Sequence, residues 1–153
     1  LGVKMPTYVV TTTPGRLSAE NKQTIAKDIT DIHCSVTGAP KYFVQILFNG
    51  VPTENYFLAG KRLEEDNIYI HAHIRSGRST ESKQKIMNDI ISSVTTETGA
   101  DKSSLQVYIT DIPASQVAEF GSILPEPGQE KIWEDGQSKE AQDRMVRLNT
   151  PPT

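Results

Sequence analysis

At 153 residues and 16.9 kDa the chain has the length of one domain, enough to bury about 70% of the surface its unfolded form exposes without disulfide or metal staples. Charged residues at 23% and hydrophobic ones at 36% describe an ordinary globular protein, and no apolar run approaches the roughly 20 residues that cross a bilayer, so no membrane role is expected. A net charge of -3 lacks the basic field that phosphate backbones require, which sets nucleic acid aside, and the single cysteine, Cys34, excludes an internal disulfide and suits the reducing cytoplasm.

The opening Leu1-Gly2-Val3-Lys4-Met5-Pro6 has neither the apolar core nor the cleavage site of a secretory signal, and 1–5 reads as a removable extension with Met5 as the natural start. Residues 8–13 are β-branched and aromatic and predict a strand, broken at Pro14-Gly15. A helix is predicted from Ser18, a good N-cap with Glu20 in the first turn, to about Gly38, with Ile25, Ile29, Ile32 and Val36 as its apolar stripe. A strand over 42–48 returns. After a connector at 50–66 the order recurs: strand 67–75, a helix from Ser79 to about Gly99 striped with Ile86, Ile90 and Val94, and strand 105–109. A segment at 113–136 follows, then a tail at 137–153 whose end, Leu148-Asn149-Thr150-Pro151-Pro152-Thr153, has the composition of a frayed terminus.

The recurrence is an internal repeat. Ser18, Glu20, Lys22, Gln23, Ile25, Asp28 and Ile29 return as Ser79, Glu81, Lys83, Gln84, Ile86, Asp89 and Ile90, each displaced by 61 (79 minus 18), and Thr37-Gly38-Ala39 returns as Thr98-Gly99-Ala100. Two right-handed β-α-β units predict an α/β domain over 6–136, repeat 1 at 6–49 and repeat 2 at 67–112, with a four-stranded sheet and both helices on one face. In 68–75 the alternation puts Ile68, Ile70, Ala72 and Ile74 on the helix side and Tyr69, His71, His73 and Arg75 on the other. Such a partly polar second face is usually buried against identical subunits, which predicts an oligomer.

Positions where the copies differ are where function is sought. His33 stands where the other copy has Val94, and a satisfied core histidine is the plain alternative to a catalytic one. Arg75-Ser76-Gly77-Arg78 precedes a helix and suits a carboxylate, which forked guanidinium donors fit, although solvated loop charge is equally compatible. Glu119, between Val117 and Phe120, has the apolar neighbours that raise a carboxyl into general-base range; a surface glutamate is the alternative. His71-x-His73 lacks the third and fourth ligands that zinc needs, so no metal is expected, and adjacent helical positions point His33 and Cys34 apart.

Met5-Pro6 at the head of a strand, followed by two β-α-β units offset by 61 residues, resembles the tautomerase superfamily, whose hallmark is an amino-terminal proline exposed on removal of Met. The fused chain is similar to the cis-3-chloroacrylic acid dehalogenase branch, whose catalytic set Pro6, His33, Arg75, Arg78, Tyr108 and Glu119 match in order and spacing; Leu124-Pro125-Glu126-Pro127-Gly128 is similar too. The resemblance spans about 6–136. It implies a homotrimer without cofactor acting on a small unsaturated or enolic carboxylic acid. Arg75 and Arg78 would grip the carboxylate, Glu119 with Tyr108 and His33 would activate water for addition at C3, and protonated Pro6 would deliver a proton to C2. Two positions depart from the pattern: Ser122 stands where an Arg is frequent, and Phe120 where a Tyr is common. The alternatives are a tautomerase of enolised 2-oxo acids, using an unprotonated Pro6, and a catalytically silent signalling protein on the same fold. A dinucleotide site is excluded, since no G-x-G-x-x-G opens either helix.

Overall fold

A computed structural model describes residues 6–151; the extension expected at 1–5 lies outside the described residues. Strand β1 (Pro6–Thr12) leads into α1 (Ala19–Thr37), which begins as its sequence requires. The Ser18 hydroxyl accepts the Asn21 N–H at 3.0 Å, and the Asn21 side chain accepts the Ser18 N–H at 3.1 Å, so two orphan donors of the first turn are satisfied. Gly38, at φ 74°, ends the helix in the left-handed conformation that favours glycine. Strand β2 (Gln45–Gly50) starts later than predicted. Lys41–Phe43 instead form one turn of 3-10 helix after Pro40, closed by Val44 N–H on the Lys41 carbonyl, which takes these groups out of the ladder.

The predicted connector at 50–66 is itself structured, as the hairpin of β3 (Phe57–Leu58) and β4 (Lys61–Arg62). Strand β5 (Ile68–Arg75), α2 (Thr80–Thr98, N-capped by Ser79 and closed by Gly99) and β6 (Leu105–Ile112) repeat the first unit. A second hairpin, β7 (Ala118–Glu119) and β8 (Ser122–Ile123), then repeats β3–β4. The turn residues correspond at the same offset of 61: Ala59-Gly60 at φ 54° and 76°, Phe120-Gly121 at φ 50° and 81°. Two successive positive φ angles are the backbone of a tight hairpin turn, and Ala59 and Phe120 adopt them without glycine's freedom.

The sheet order is β2-β1-β5-β6, with β1/β2 and β5/β6 parallel and β1/β5 antiparallel at the centre. Both helices cover one face. Ile25 and Ile29 of α1 and Ile86, Ile90 and Val94 of α2 are fully buried with Tyr8, Ile68, Ile70 and Ala72, in the stripes read from the sequence. The other face carries Val9, Tyr69, His71 and His73 and leaves Leu47 and Tyr108 about half exposed (48% and 55%). Arg75 is not exposed as its neighbours on that face are. It is buried, because 124–130 folds across the end of β5 and covers it.

The C-terminal region also departs from expectation. After α3 (Glu130–Asp135), the stretch read as a tail forms α4 (Lys139–Asn149), capped by Ser138 and burying Ala141 and Met145. The Asn149 side chain accepts the Tyr42 N–H at 2.9 Å, so α4 is tied to the turn before β2. Its helix formers outweigh the polar composition, and the helix ends before Pro151, whose ring cannot continue it. No helix of the described residues is long and apolar enough to cross a membrane.

Candidate active site

The central antiparallel ladder sets Pro6 opposite Ile74, one residue before Arg75. The first residue of β1 and the last of β5 thus share one end of the sheet. Arg75 is 1% exposed; its Nη1 donates to the Pro125 carbonyl at 2.7 Å and its Nη2 to Glu130 at 2.8 Å. Ser76 continues the ladder by donating to the Ile112 carbonyl at 2.9 Å. Gly77, at φ 112°, turns the chain under Pro127, where an added Cβ would lie 3.6 Å from the Pro127 ring.

Arg78 crosses to the end of α1 and donates to the Thr37 carbonyl at 2.9 Å. Burial, followed by the like charge of Arg75, lowers its pKa to about 10, so it remains a cation at neutral pH. One turn back, His33 is fully buried on the helix stripe, and its Nδ1 lies 2.8 Å from the Tyr8 hydroxyl. Burial, with the charge of Cys34 second, raises the Tyr8 hydroxyl far above its usual range. A protonated Tyr8 can donate to Nδ1, an arrangement that puts the imidazole proton on Nε2. Pro6, Arg75, Arg78 and His33 are therefore joined through one end of the sheet and the C-terminal turn of α1. Cys34 is half-buried, and burial raises its thiol, the wrong direction for a nucleophile.

Glu119 sits on the β7–β8 hairpin, which packs through Phe120 against Phe43 and Trp133, while Trp133 Nε1 donates to the Ile123 carbonyl at 2.8 Å. Burial alone raises its carboxyl to about 7. The repeat supplies the reason. Glu119 corresponds to Leu58 (119 minus 61), so a carboxylate occupies a half-buried position that the other copy fills with leucine. Tyr108 is not brought to this end within the chain. It lies in the middle of β6 on the open face, opposite His71, with its ring edge-on to Tyr69 at 5.1 Å.

The largest groove among the described residues does not suit an acid. This groove, of about 410 Å³ between the outer sides of α1 and α2, is lined by Asp28, Asp89 and Glu97, the wrong sign for a carboxylate. Among the described residues, no group of three or more His, Cys, Asp or Glu is placed to hold a metal.

A family model described as "Putative oxalocrotonate tautomerase enzyme" matches residues 5–138. The chain belongs to the tautomerase superfamily. A crystal structure of a member of the cis-3-chloroacrylic acid dehalogenase family is 32% identical, with a TM-score of 0.86 over 92% of this chain and 99% of that one, which puts the tautomerase chain in a family like that dehalogenase's. A fused 4-OT solved as an asymmetric trimer is 25% identical, with a TM-score of 0.71 over 76% of this chain and 94% of that one. A native fused 4-OT at 21% identity, TM-score 0.71, covered over 76% and 94%, shares the fold. No curated protein sequence matches closely enough to count as a relative.

The repeat also explains why this tautomerase-superfamily chain has one such end and not two. The counterparts of Pro6, His33, Arg75, Arg78, Tyr108 and Glu119, each 61 residues away, are Asn67, Val94, Pro14, Leu17, Leu47 and Leu58, none of which ionises. At the Asn67 end Arg16 reaches the Thr98 carbonyl as Arg78 reaches that of Thr37, but Asp66 neutralises it at 2.7 Å. Glu130 was missed in the sequence. Its only signal was a charged residue opening a short helix, and nothing local indicated that it meets Arg75, 55 residues away.

Proposed function

We propose that the chain is an enzyme in which Pro6, as the amino-terminal residue, acts with Arg75, Arg78, His33, Tyr108 and Glu119 to hydrate or dehalogenate a short unsaturated carboxylic acid of the cis-3-haloacrylate type. The carrying observation is Glu119, a carboxyl that burial alone raises to about 7, in a position the other copy fills with leucine. A base of that pKa is half ionised near neutrality and basic enough to take a proton from water.

The guanidiniums hold the substrate carboxylate and draw electron density from C3, where water activated by Glu119 adds. The protonated Pro6 nitrogen delivers a proton to C2. The product carries hydroxyl and halogen on one carbon and collapses to an aldehyde acid with loss of hydrogen halide. Tautomerisation of an enolised 2-oxo acid is the second reading, with Pro6 unprotonated and shuttling a proton from oxygen to carbon. It is favoured by Ser122, which stands where the dehalogenase pattern has an Arg and is bonded to Gln137 at 3.0 Å.

The two arginines are expected to fail differently. Arg78→Ala should weaken acid binding by about 1.5 to 3 kcal/mol, the loss of a charged hydrogen bond, with little change in stability. Arg75→Ala should weaken binding too, but it also leaves Glu130 buried without its cation, at a cost of about 3 to 5 kcal/mol in unfolding free energy. Substrate titration and urea denaturation of both variants separate the effects. If both keep wild-type turnover of every unsaturated or enolic acid tried, the site lies elsewhere.

The assembly is a homotrimer in this reading, supported by the open sheet face with Leu47 and Tyr108 exposed and by the trimer reported for the fused 4-OT. Tyr108 lies on the face that assembly would bury, so its contribution belongs to a site shared between subunits. Light scattering should return three chains per particle; a stable monomer at micromolar concentration would remove Tyr108 from the mechanism.

A further inference from the structure

Glu130, which is paired with Arg75, has no part in the reaction just described. The side chains of Arg75 and Glu130 are 1% and 7% exposed and meet at 2.8 Å. Taking two charges out of water is expensive, and apolar residues of similar volume are often as stable, so stability alone does not account for such a pair. Glu130 is also fixed in place, its Oε2 accepting the Gly128 N–H at 2.9 Å. Burial would raise its carboxyl, but hydrogen bonds from Arg75 and from the backbone N–H groups of Glu130 and Gly128 outweigh burial and keep it ionised. Its charge acts on Arg78 as well, offsetting part of what burial and Arg75 do to that guanidinium.

Resting on the reading of Arg75 and Arg78 as the carboxylate site, we infer that Glu130 makes the site selective for acids with a single carboxylate: paired with Arg75 in the cover over the end of β5, it cancels one of that site's two guanidinium charges and repels a second carboxylate. Two guanidiniums less the Glu130 carboxylate leave one net positive charge, and a protonated Pro6 is offset by Glu119, which is ionised above about pH 7, so a monocarboxylate balances the site. A dicarboxylate would bring one negative charge too many into a site that has been taken largely out of water, where like charges interact strongly. Glu130 acts through Arg75 and is a positioning residue.

The test uses protein expressed with Met5 as the initiator, so that Pro6 comes first, and titrates it calorimetrically with isocrotonate and maleate. These acids share a cis double bond and differ in whether a methyl or a second carboxylate occupies its far end. At about pH 8 both carboxylates of maleate are ionised. Wild type should prefer isocrotonate. Glu130→Gln keeps the shape and can still accept a hydrogen bond from Arg75 but lacks the charge, and should swing the affinity ratio toward maleate by about tenfold or more. A purely structural Glu130 would weaken both acids in proportion, so a ratio unmoved beyond about twofold in the folded variant overturns the inference. Arg75→Gln with Glu130→Gln removes both charges and guards against a single variant that fails to fold. It should keep the wild-type ratio at reduced affinity, and a swing toward maleate there overturns the inference as well. If wild type binds neither acid, the carboxylate site itself is wrong; if it binds both and only the ratio fails to move, Glu130 alone has been misassigned.

Discussion

Glu119→Gln should lower water addition by about 10² to 10⁴ while partly sparing any tautomerase activity. The substitution keeps the size of the side chain on the β7–β8 hairpin and removes only the group that can take a proton from water. Tautomerisation moves its proton through Pro6 and needs Glu119 less, so the ratio of the two activities is the informative number. With the carboxyl at about 7, wild-type addition should rise with pH through about 7 and fall again where Pro6 loses its proton; Glu119→Gln should lose the rising limb. The same residue affects stability with a definite sign. Its folded pKa lies above its ordinary value, so the native state binds that proton more tightly, and the associated stability is full below about 4.5 and lost as pH rises through about 7. Glu119→Gln should therefore be more stable relative to wild type at about pH 8 than at about pH 5. Rates across pH and urea midpoints at both values check the two halves. A variant that adds water at the wild-type rate removes Glu119 from the chemistry.

The architecture was legible because the chain states it twice. A 61-residue repeat with Ser18 and Ser79 as N-caps, Gly38 and Gly99 as helix ends and matched isoleucine stripes leaves few topologies open, and the cap geometry is as predicted. What local reading lost were long-range effects. At matched positions the hairpins at 57–62 and 118–123 are identical only in their turn glycines, Gly60 and Gly121, too little for local reading to carry the repeat into them and to pair Glu119 with Leu58. Alternation puts Arg75 on the face of Tyr69, His71 and His73, but it carries no sign that a later segment folds over the strand end and buries it. The helix at Lys139–Asn149 was hidden by composition: of its residues only Ala141 and Met145 are buried, too short an apolar stripe to stand out among eleven positions. In each case tertiary cover, absent from local pattern, decided the outcome.

A protein whose first residue is Pro6 is expected to turn over at least one unsaturated or enolic acid, and the same chain with residues 1–5 attached is expected to be nearly inactive, by about 10² or more. Within a chain the nitrogen of proline is a tertiary amide, with no proton to give and no basic lone pair to accept one; as a terminus it is a secondary amine that titrates. Its position magnifies the difference. Pro6 is buried at the head of β1, opposite Ile74, the residue before Arg75, so its nitrogen stands at the strand end where the substrate carboxylate is to be held. The experiment compares the 153-residue chain with protein initiated at Met5, after intact-mass measurement has established which residue comes first in each. Loss of activity on chemical blocking of the Pro6 amine supplies an independent check, since it leaves Glu119 and both arginines untouched. Equal activity of the extended and Pro6-started forms would refute the proline mechanism and leave the chemistry to Glu119, His33 and the arginines.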